Sequence, residues 1–132
     1  MNSSLIEDIR KIMPEPIDES HDDFSHVLVG GYPGEVIVRI EATRISVSEF
    51  SLVWEGPHTS VVHPILVAKL NWKKLPLDQI ISALQKLIQK TSETRKAKYQ
   101  TCELCHESNP PEWMMGGHVC HSCAEKHYGV VF

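Results

Sequence analysis

The sequence predicts an α+β fold, in which a small antiparallel sheet of three or four strands packs against one long helix and a cysteine-rich segment follows. Three observations support this. Residues 35–41 alternate apolar and polar side chains, as a half-buried strand does. Residues 77–98 repeat apolar side chains at steps of three and four, as an amphipathic helix does. All four cysteines of the 132-residue chain fall after residue 100.

The first 25 residues are predicted to form a helix and an acidic connection. Apolar side chains that include Leu5, Ile9 and Ile12 recur at helical spacing between Ser3 and Met13. The prolines at positions 14 and 16 end this helix. Residues 15–23 are rich in acids and are expected to be an exposed connection. We therefore expect three domains, with residues 1–25 leading into an α+β domain at 26–100 and a metal-binding segment at 101–132.

The strands of the α+β domain are predicted from short β-branched and alternating runs. The expected strands are residues 27–29, 35–41, 44–54 and 65–72. In the third run the apolar phase changes, and a bulge near Ser48 and Glu49 would restore one buried face. The fourth run is the most apolar, so we expect it to lie at the centre of the sheet.

The long helix is predicted to open at Leu75-Pro76, with the proline in its first turn, and to run to about Lys98. Residues 69–100 carry a net charge of +6, whereas the whole chain carries −4. A basic segment can follow nucleic-acid phosphates, so a set of candidate contacts is defined. They are Lys73, Lys74, Lys86, Lys90, Arg95, Lys96 and Lys98. The simpler interpretation, that these side chains only solvate the helix, is favoured because aromatic stacking residues are scarce here.

The cysteines occur as two pairs with metal-binding spacing. Cys102 and Cys105 form one C-x2-C pair, and Cys120 and Cys123 form the other after fourteen residues. Each pair can direct two sulfurs at one point, so two pairs complete a tetrahedral four-thiolate shell for zinc. The intervening residues predict a hairpin turning at Gly116-Gly117, and residues 123–127 predict a short helix.

The first cysteine pair forms a short metal-binding turn, or knuckle. A hairpin, the second cysteine pair and a short helix follow it in that order. Residues 101–129 therefore resemble a four-cysteine zinc finger of the treble-clef or zinc-ribbon type. The resemblance implies a structural zinc ion held by the four cysteines and no particular activity. One departure is His106 after the first knuckle, where such knuckles often have glycine.

Other metal and thiol chemistries remain open at this point. The same four thiolates can bind a single iron ion, and residues 102–106 match the C-x-x-C-H haem-attachment pattern. Either pair can also form a redox disulfide. Four histidines near the cysteines are alternative ligands, although surface positions are the commoner meaning. They are His106, His118, His121 and His127.

Evidence for catalysis is weak in this sequence. A closed four-cysteine shell leaves no open position for water or substrate. The chain has no P-loop, nucleotide-binding glycine pattern or serine nucleophile motif. His58 and His63 flank one loop, but the sequence places no acid beside them.

The sequence favours a cytoplasmic protein that does not enter a membrane. It has neither the basic start and apolar run of a secretory signal nor an apolar stretch of membrane-spanning length. The first hypothesis is a non-enzymatic interaction or adaptor protein with a structural zinc site and a protein partner. The alternatives are a nucleic-acid-binding regulator and, least favoured, an enzyme with a site in the sheet domain. A homodimer is expected only from the general exposure of strand edges.

Overall fold

The computed structural model describes residues 3–56 and 59–130. These residues form two compact units, one built from residues 3–51 and 64–95 and the other from residues 52–63 and 96–130. Within the described residues, no helix is both long enough and apolar enough to cross a membrane.

The first unit contains a five-stranded antiparallel sheet and two helices, which confirms the predicted α+β class. The helices are α1 (Ser3–Ile12) and α2 (Leu77–Lys96). The strands are β1 (Ile17–His21), β2 (Ser25–Gly30), β3 (Val36–Glu41), β4 (Arg44–Glu49) and, later in the chain, β7 (Ile65–Asn71). Their order across the sheet is β1-β2-β3-β4-β7, so the strands of this unit are neighbours in the order in which they occur along the chain.

One face of this sheet and both helices enclose a single apolar core. Val36, Val38 and Ile40 share that face and have no exposed surface, as their alternation predicts. Leu5 and its α1 neighbours, together with Leu84 and its α2 neighbours, bury their stripes in the same cluster. Each fully buried aliphatic side chain contributes about 1.5–3 kcal/mol to folding, so the helices are held mainly by these stripes.

The strand count exceeds the predicted three or four because the acidic connection contains β1. Residues 17–21 pair with β2 along their whole length, from Ile17 opposite Gly30 to His21 opposite His26. An edge strand needs few apolar side chains, because its outer side remains in water. Because most of its side chains are polar or acidic, this strand could not be predicted from a hydrophobicity pattern.

The prediction that residues 65–72 form a central strand is wrong, because β7 pairs only with β4 and forms the other edge. Ile65, Leu66 and Val67 are 46%, 55% and 46% exposed despite their apolar character. The register shifts where Val47 faces Ala68 and Ser48 faces Leu66, which leaves Val67 as the extra residue. A bulge therefore lies close to the predicted place, but its extra residue belongs to β7.

The run predicted as one strand over residues 44–54 is divided between the two units. β4 ends at Glu49, and β5 (Leu52–Trp54) pairs instead with β6 (Ser60–Val62) in a separate hairpin. This hairpin belongs to the second unit, together with all four cysteines. The remaining strands of that unit are β8 (Gln100–Thr101), β9 (Ser108–Asn109), β10 (Met114–Met115) and β11 (Val119–Cys120), and its helix is α3 (His121–Tyr128).

Candidate metal centre

Four cysteine sulfurs come together in the second unit. The Sγ atoms of Cys102, Cys105, Cys120 and Cys123 all lie within 4.8 Å of one another, and those of Cys105 and Cys120 are 3.9 Å apart. Zinc–sulfur bonds of about 2.3 Å in a tetrahedron place sulfurs about 3.8 Å apart. The cluster is therefore positioned to hold one metal ion after only small inward shifts.

The first pair sits in a tight turn between the paired strands β8 and β9. Cys102 donates its backbone N–H to the carbonyl of Glu107 at 3.0 Å and accepts from the His106 N–H at 2.9 Å. The amides of Leu104 and Cys105 point at the Cys102 Sγ atom, at 3.4 and 3.5 Å. His106 has φ +63°, the left-handed conformation that glycine adopts most easily. The histidine thus takes the backbone shape expected of the missing glycine.

The second pair lies where a hairpin passes into a helix. β10 and β11 are joined through Gly116 and Gly117, which both have positive φ as the predicted tight turn requires. Cys120 ends β11 and precedes α3, while Cys123 lies in the first turn of that helix. Gly129 stops α3 in the left-handed conformation. The hairpin and the short helix expected from the sequence are both present.

Backbone amides make Cys102 the most acidic of the shifted thiols. Hydrogen bonds from the amides of Cys105, Cys120 and Leu104 lower the pKa of the Cys102 thiol to about 6, against the opposing effect of burial. Burial, followed by the neighbouring thiols, raises the pKa of Cys123 to about 12. For Cys105, an amide hydrogen bond from Glu107 favours ionisation, but burial and the thiols of Cys102 and Cys120 outweigh it and raise the Cys105 pKa. A dication at the centre would reverse this repulsion and favour four thiolates.

The apolar core around the sulfurs is small. It consists of the three buried cysteines together with Met114, Val119 and Ala124. Met115 and Val130 pack against it. Tyr128 is 60% exposed, while Val131 and Phe132 lie outside the described residues.

Two of the nearby histidines have other contacts. His118 Nδ1 lies 3.1 Å from Glu103 Oε1 at the surface. The His121 ring packs against the indole of Trp54 with ring centroids 5.9 Å apart, and its burial lowers its pKa although Glu125 opposes the shift. Among the described residues, the group able to hold a metal ion consists of cysteines alone.

Trp54 is the residue of this unit that the sequence did not single out. Its indole N–H donates to the carbonyl of Glu112 at 3.0 Å, which ties the β5–β6 hairpin to the cysteine segment. The sequence marks it only as an aromatic residue at the end of the run predicted as the third strand, after the change of apolar phase. Beside it lies an open groove of about 430 Å³ whose walls include Trp54, Trp113 and His121.

The predicted nucleic-acid contacts are six lysines and one arginine. Six lysines are exposed, but four of them lie in the first unit and two in the second. The six are Lys73, Lys74, Lys86, Lys90, Lys96 and Lys98. Arg95 is only 2% exposed, and its guanidinium donates to the Gly34 carbonyl at 3.1 Å and lies over the Phe50 ring. Arg95 is therefore placed to support the fold of the first unit rather than to contact a phosphate.

The loop histidines do not form a buried site in the described residues. His63 Nε2 lies 3.9 Å from Glu55 Oε1, and both side chains are more than half exposed. His58 lies outside the described residues.

The chain was compared with families, curated proteins and solved structures. No family model, curated protein or solved structure matches it.

Proposed function

We propose that this chain is a non-enzymatic interaction protein whose second unit is a treble-clef finger built around a structural zinc ion and presented to a partner protein. The observation that carries the proposal is the convergence of the four cysteine sulfurs within 4.8 Å. Thiolate is a soft ligand that zinc prefers, and four such ligands close the shell.

The finger topology is supported by the order of its elements. A cysteine turn flanked by β8 and β9 comes first, then the β10–β11 hairpin, then a cysteine pair at the start of α3. Each cysteine pair is held by backbone geometry that directs its sulfurs to one point. This is the order of a treble clef.

A structural role for the metal follows from the size of the local core. Three of the six buried residues in the second cluster are cysteines, so little apolar area remains to stabilise that unit. Structural zinc contributes about 10–16 kcal/mol in small units of this kind. A closed shell leaves no position for substrate, so the ion acts on folding rather than on catalysis.

The proposed setting is the cytoplasm, where thiols stay reduced and available to a metal. A protein partner is favoured over nucleic acid because the second unit is acidic. It holds five acidic and three basic side chains, and four thiolates with one zinc dication add two further negative charges. Phosphates are repelled by such a field.

The test begins with metal analysis of the full-length chain purified without added metal. We expect one zinc per chain and a colourless protein, whereas iron bound by four thiolates gives a red sample. Removal of zinc by a chelator is expected to unfold the second unit, with recovery on adding zinc back. A metal-free protein that keeps all its tertiary NMR signals would overturn the proposal.

Binding to short single- and double-stranded oligonucleotides at low and high salt separates the interaction protein from the nucleic-acid regulator. We expect no binding at physiological salt. Affinity that falls steeply as salt rises, and that is lost in a Lys86→Gln/Lys90→Gln double variant, would favour the regulator instead. Sedimentation of the same samples measures whether the chain forms a homodimer.

A further inference from the structure

The open groove in the second unit is lined by aromatic and polar residues. Its lining includes the aromatic residues Trp54, Trp113 and His121 and the polar residues Glu107 and Asn109. The volume of about 430 Å³ lies within the range of known ligand sites, roughly 300–1,000 Å³. All of the residues that line the groove belong to one compact unit.

The groove walls are held in place by contacts already described. The Trp54 indole is anchored to the Glu112 carbonyl at 3.0 Å, and its ring lies against His121. The Asn109 side chain donates to the Glu107 carbonyl at 2.9 Å. Even so, Trp54 remains 42% exposed, so a large aromatic surface faces the groove and solvent.

The electrostatics of the groove favour a cation. The faces of indole rings are negative and Glu107 is an acidic member of the lining, while the described residues that line the groove include no lysine or arginine. Cys120, a ligand of the proposed zinc thiolate centre, also lines it. A nucleobase would bring a phosphate into this field, so the aromatic rings alone do not make the groove a nucleic-acid site.

We propose that this groove binds the side chain of an arginine from the partner protein. A planar guanidinium stacks on aromatic faces, pairs with a carboxylate through two parallel hydrogen bonds and is less strongly hydrated than an ammonium. The indoles accept its flat face and its aliphatic stem, and Glu107 accepts its N–H groups. The inference rests on the proposed function and names the kind of residue that the partner supplies.

The experiment titrates the zinc-loaded full-length protein with a capped Gly-Arg-Gly peptide and with the same peptide carrying citrulline. Citrulline keeps the size and planarity of arginine but has no charge. The readout is the indole N–H NMR signals of Trp54 and Trp113. Trp72, the third tryptophan, belongs to the first unit and serves as an internal reference.

We expect the Trp54 and Trp113 signals to shift while that of Trp72 does not, with the arginine peptide bound about tenfold more tightly than the citrulline peptide. Glu107→Gln is expected to reduce that preference to less than about threefold, because it removes the charge and keeps the shape. Glu103→Gln makes the same charge change in the same unit outside the groove lining, and is expected to keep the preference.

Equal affinity for the two peptides would overturn the inference, since the groove would then recognise shape without charge. Displacement of the arginine peptide by a single-stranded oligonucleotide that shifts the same two signals would overturn it in favour of nucleic acid. The absence of any shift at about 10 mM peptide, which saturates a site with a Kd of about 1 mM, would also overturn it. Metal analysis of the same sample shows separately whether the proposed zinc unit is present.

Discussion

The indole nitrogen of Trp54 donates a hydrogen bond to the backbone carbonyl of Glu112, although 58 positions separate the two residues in the chain. This bond connects the β5–β6 hairpin to the cysteine segment, and both belong to the same compact unit. In the chain, the hairpin lies between β4 and β7, two strands of the five-stranded sheet. The metal centre is thus supported by a segment far from the cysteines in sequence.

Trp54→Phe tests that support, because it keeps an aromatic ring and removes the donor. Loss of one neutral hydrogen bond costs about 1 kcal/mol, so zinc should pass to a competing chelator about fivefold faster from the variant. Trp72→Phe is the matched control, since its indole donates to the Glu41 carbonyl at 2.8 Å in the first unit. Equal acceleration in both variants would contradict the assignment of the hairpin to the metal unit.

Cys102→Ser tests the metal centre itself. Cys102 is fully buried and its sulfur accepts hydrogen bonds from the amides of Leu104, Cys105 and Cys120. A serine oxygen is a harder and shorter ligand, so we expect the variant to lose zinc and the tertiary NMR signals of the second unit.

The spectrum of Cys102→Ser should match that of wild-type protein after chelation. His127→Ser, on the exposed side of α3 and outside the sulfur cluster, should keep one zinc per chain. The first unit has its own apolar core, so the methyl signals of Leu84 and Ile88 are expected to persist in both proteins. A zinc-loaded Cys102→Ser chain would contradict the four-cysteine centre.

Much of the first unit could be predicted because its patterns are local. The alternating side chains of β3 and the helical stripe around Leu84 each show, within a few residues, which period the segment has and which face is buried. The cysteine spacing is equally local, since two residues between cysteines suffice to direct both sulfurs to one point.

The features that could not be predicted depend on partners distant in sequence. β1 is a strand because β2 pairs with it, and its own acidic side chains favour a loop. β7 is an edge because, within the described residues, it pairs with β4 on one side and with no strand on the other, while β1 forms the opposite edge. From the sequence, Arg95 is predicted to be a basic surface residue. Its burial depends on the carbonyl of Gly34 and the ring of Phe50, which are distant in the chain.

His106→Gly is expected to stabilise the zinc-loaded protein. A side chain in the left-handed region costs about 1 kcal/mol, which glycine avoids, although its freer unfolded chain offsets part of the gain. The expected net gain is up to about 0.5 kcal/mol, measured as a higher midpoint in thermal unfolding with zinc present.

His106→Val should lower the same midpoint, because a β-branched side chain fits the left-handed region poorly. Glu107→Gly is the control for flexibility. Glu107 does not share the positive φ of its neighbour His106, so a glycine at position 107 should only destabilise the protein. A lower midpoint for His106→Gly would show that the imidazole makes a stabilising contact that outweighs its backbone cost.

Glu19→Gln is expected to change how the stability of the first unit depends on pH. The Arg10 guanidinium, which pairs with the Glu19 carboxylate, is the main cause that lowers the Glu19 pKa to about 2, and His26 Nε2 at 3.0 Å adds to it. A carboxylate with a lowered pKa in the folded state stabilises that state above its unfolded pKa of about 4.5. The contribution is lost as pH falls from there through about 2. Because Arg10 is 43% exposed, solvent screening limits it to less than about 1 kcal/mol.

The measurement is denaturant unfolding followed by the Trp72 indole signal, which reports the first unit even where acid releases zinc from the second. The variant should be less stable than the wild type near neutral pH, and the two should converge as pH falls below about 4.5 towards about 2. Asp18→Asn removes the same charge from the neighbouring exposed position of β1 and should not reproduce this convergence. A difference between Glu19→Gln and wild type that stays constant across that range would show that the side chain stabilises the fold through packing rather than through its charge.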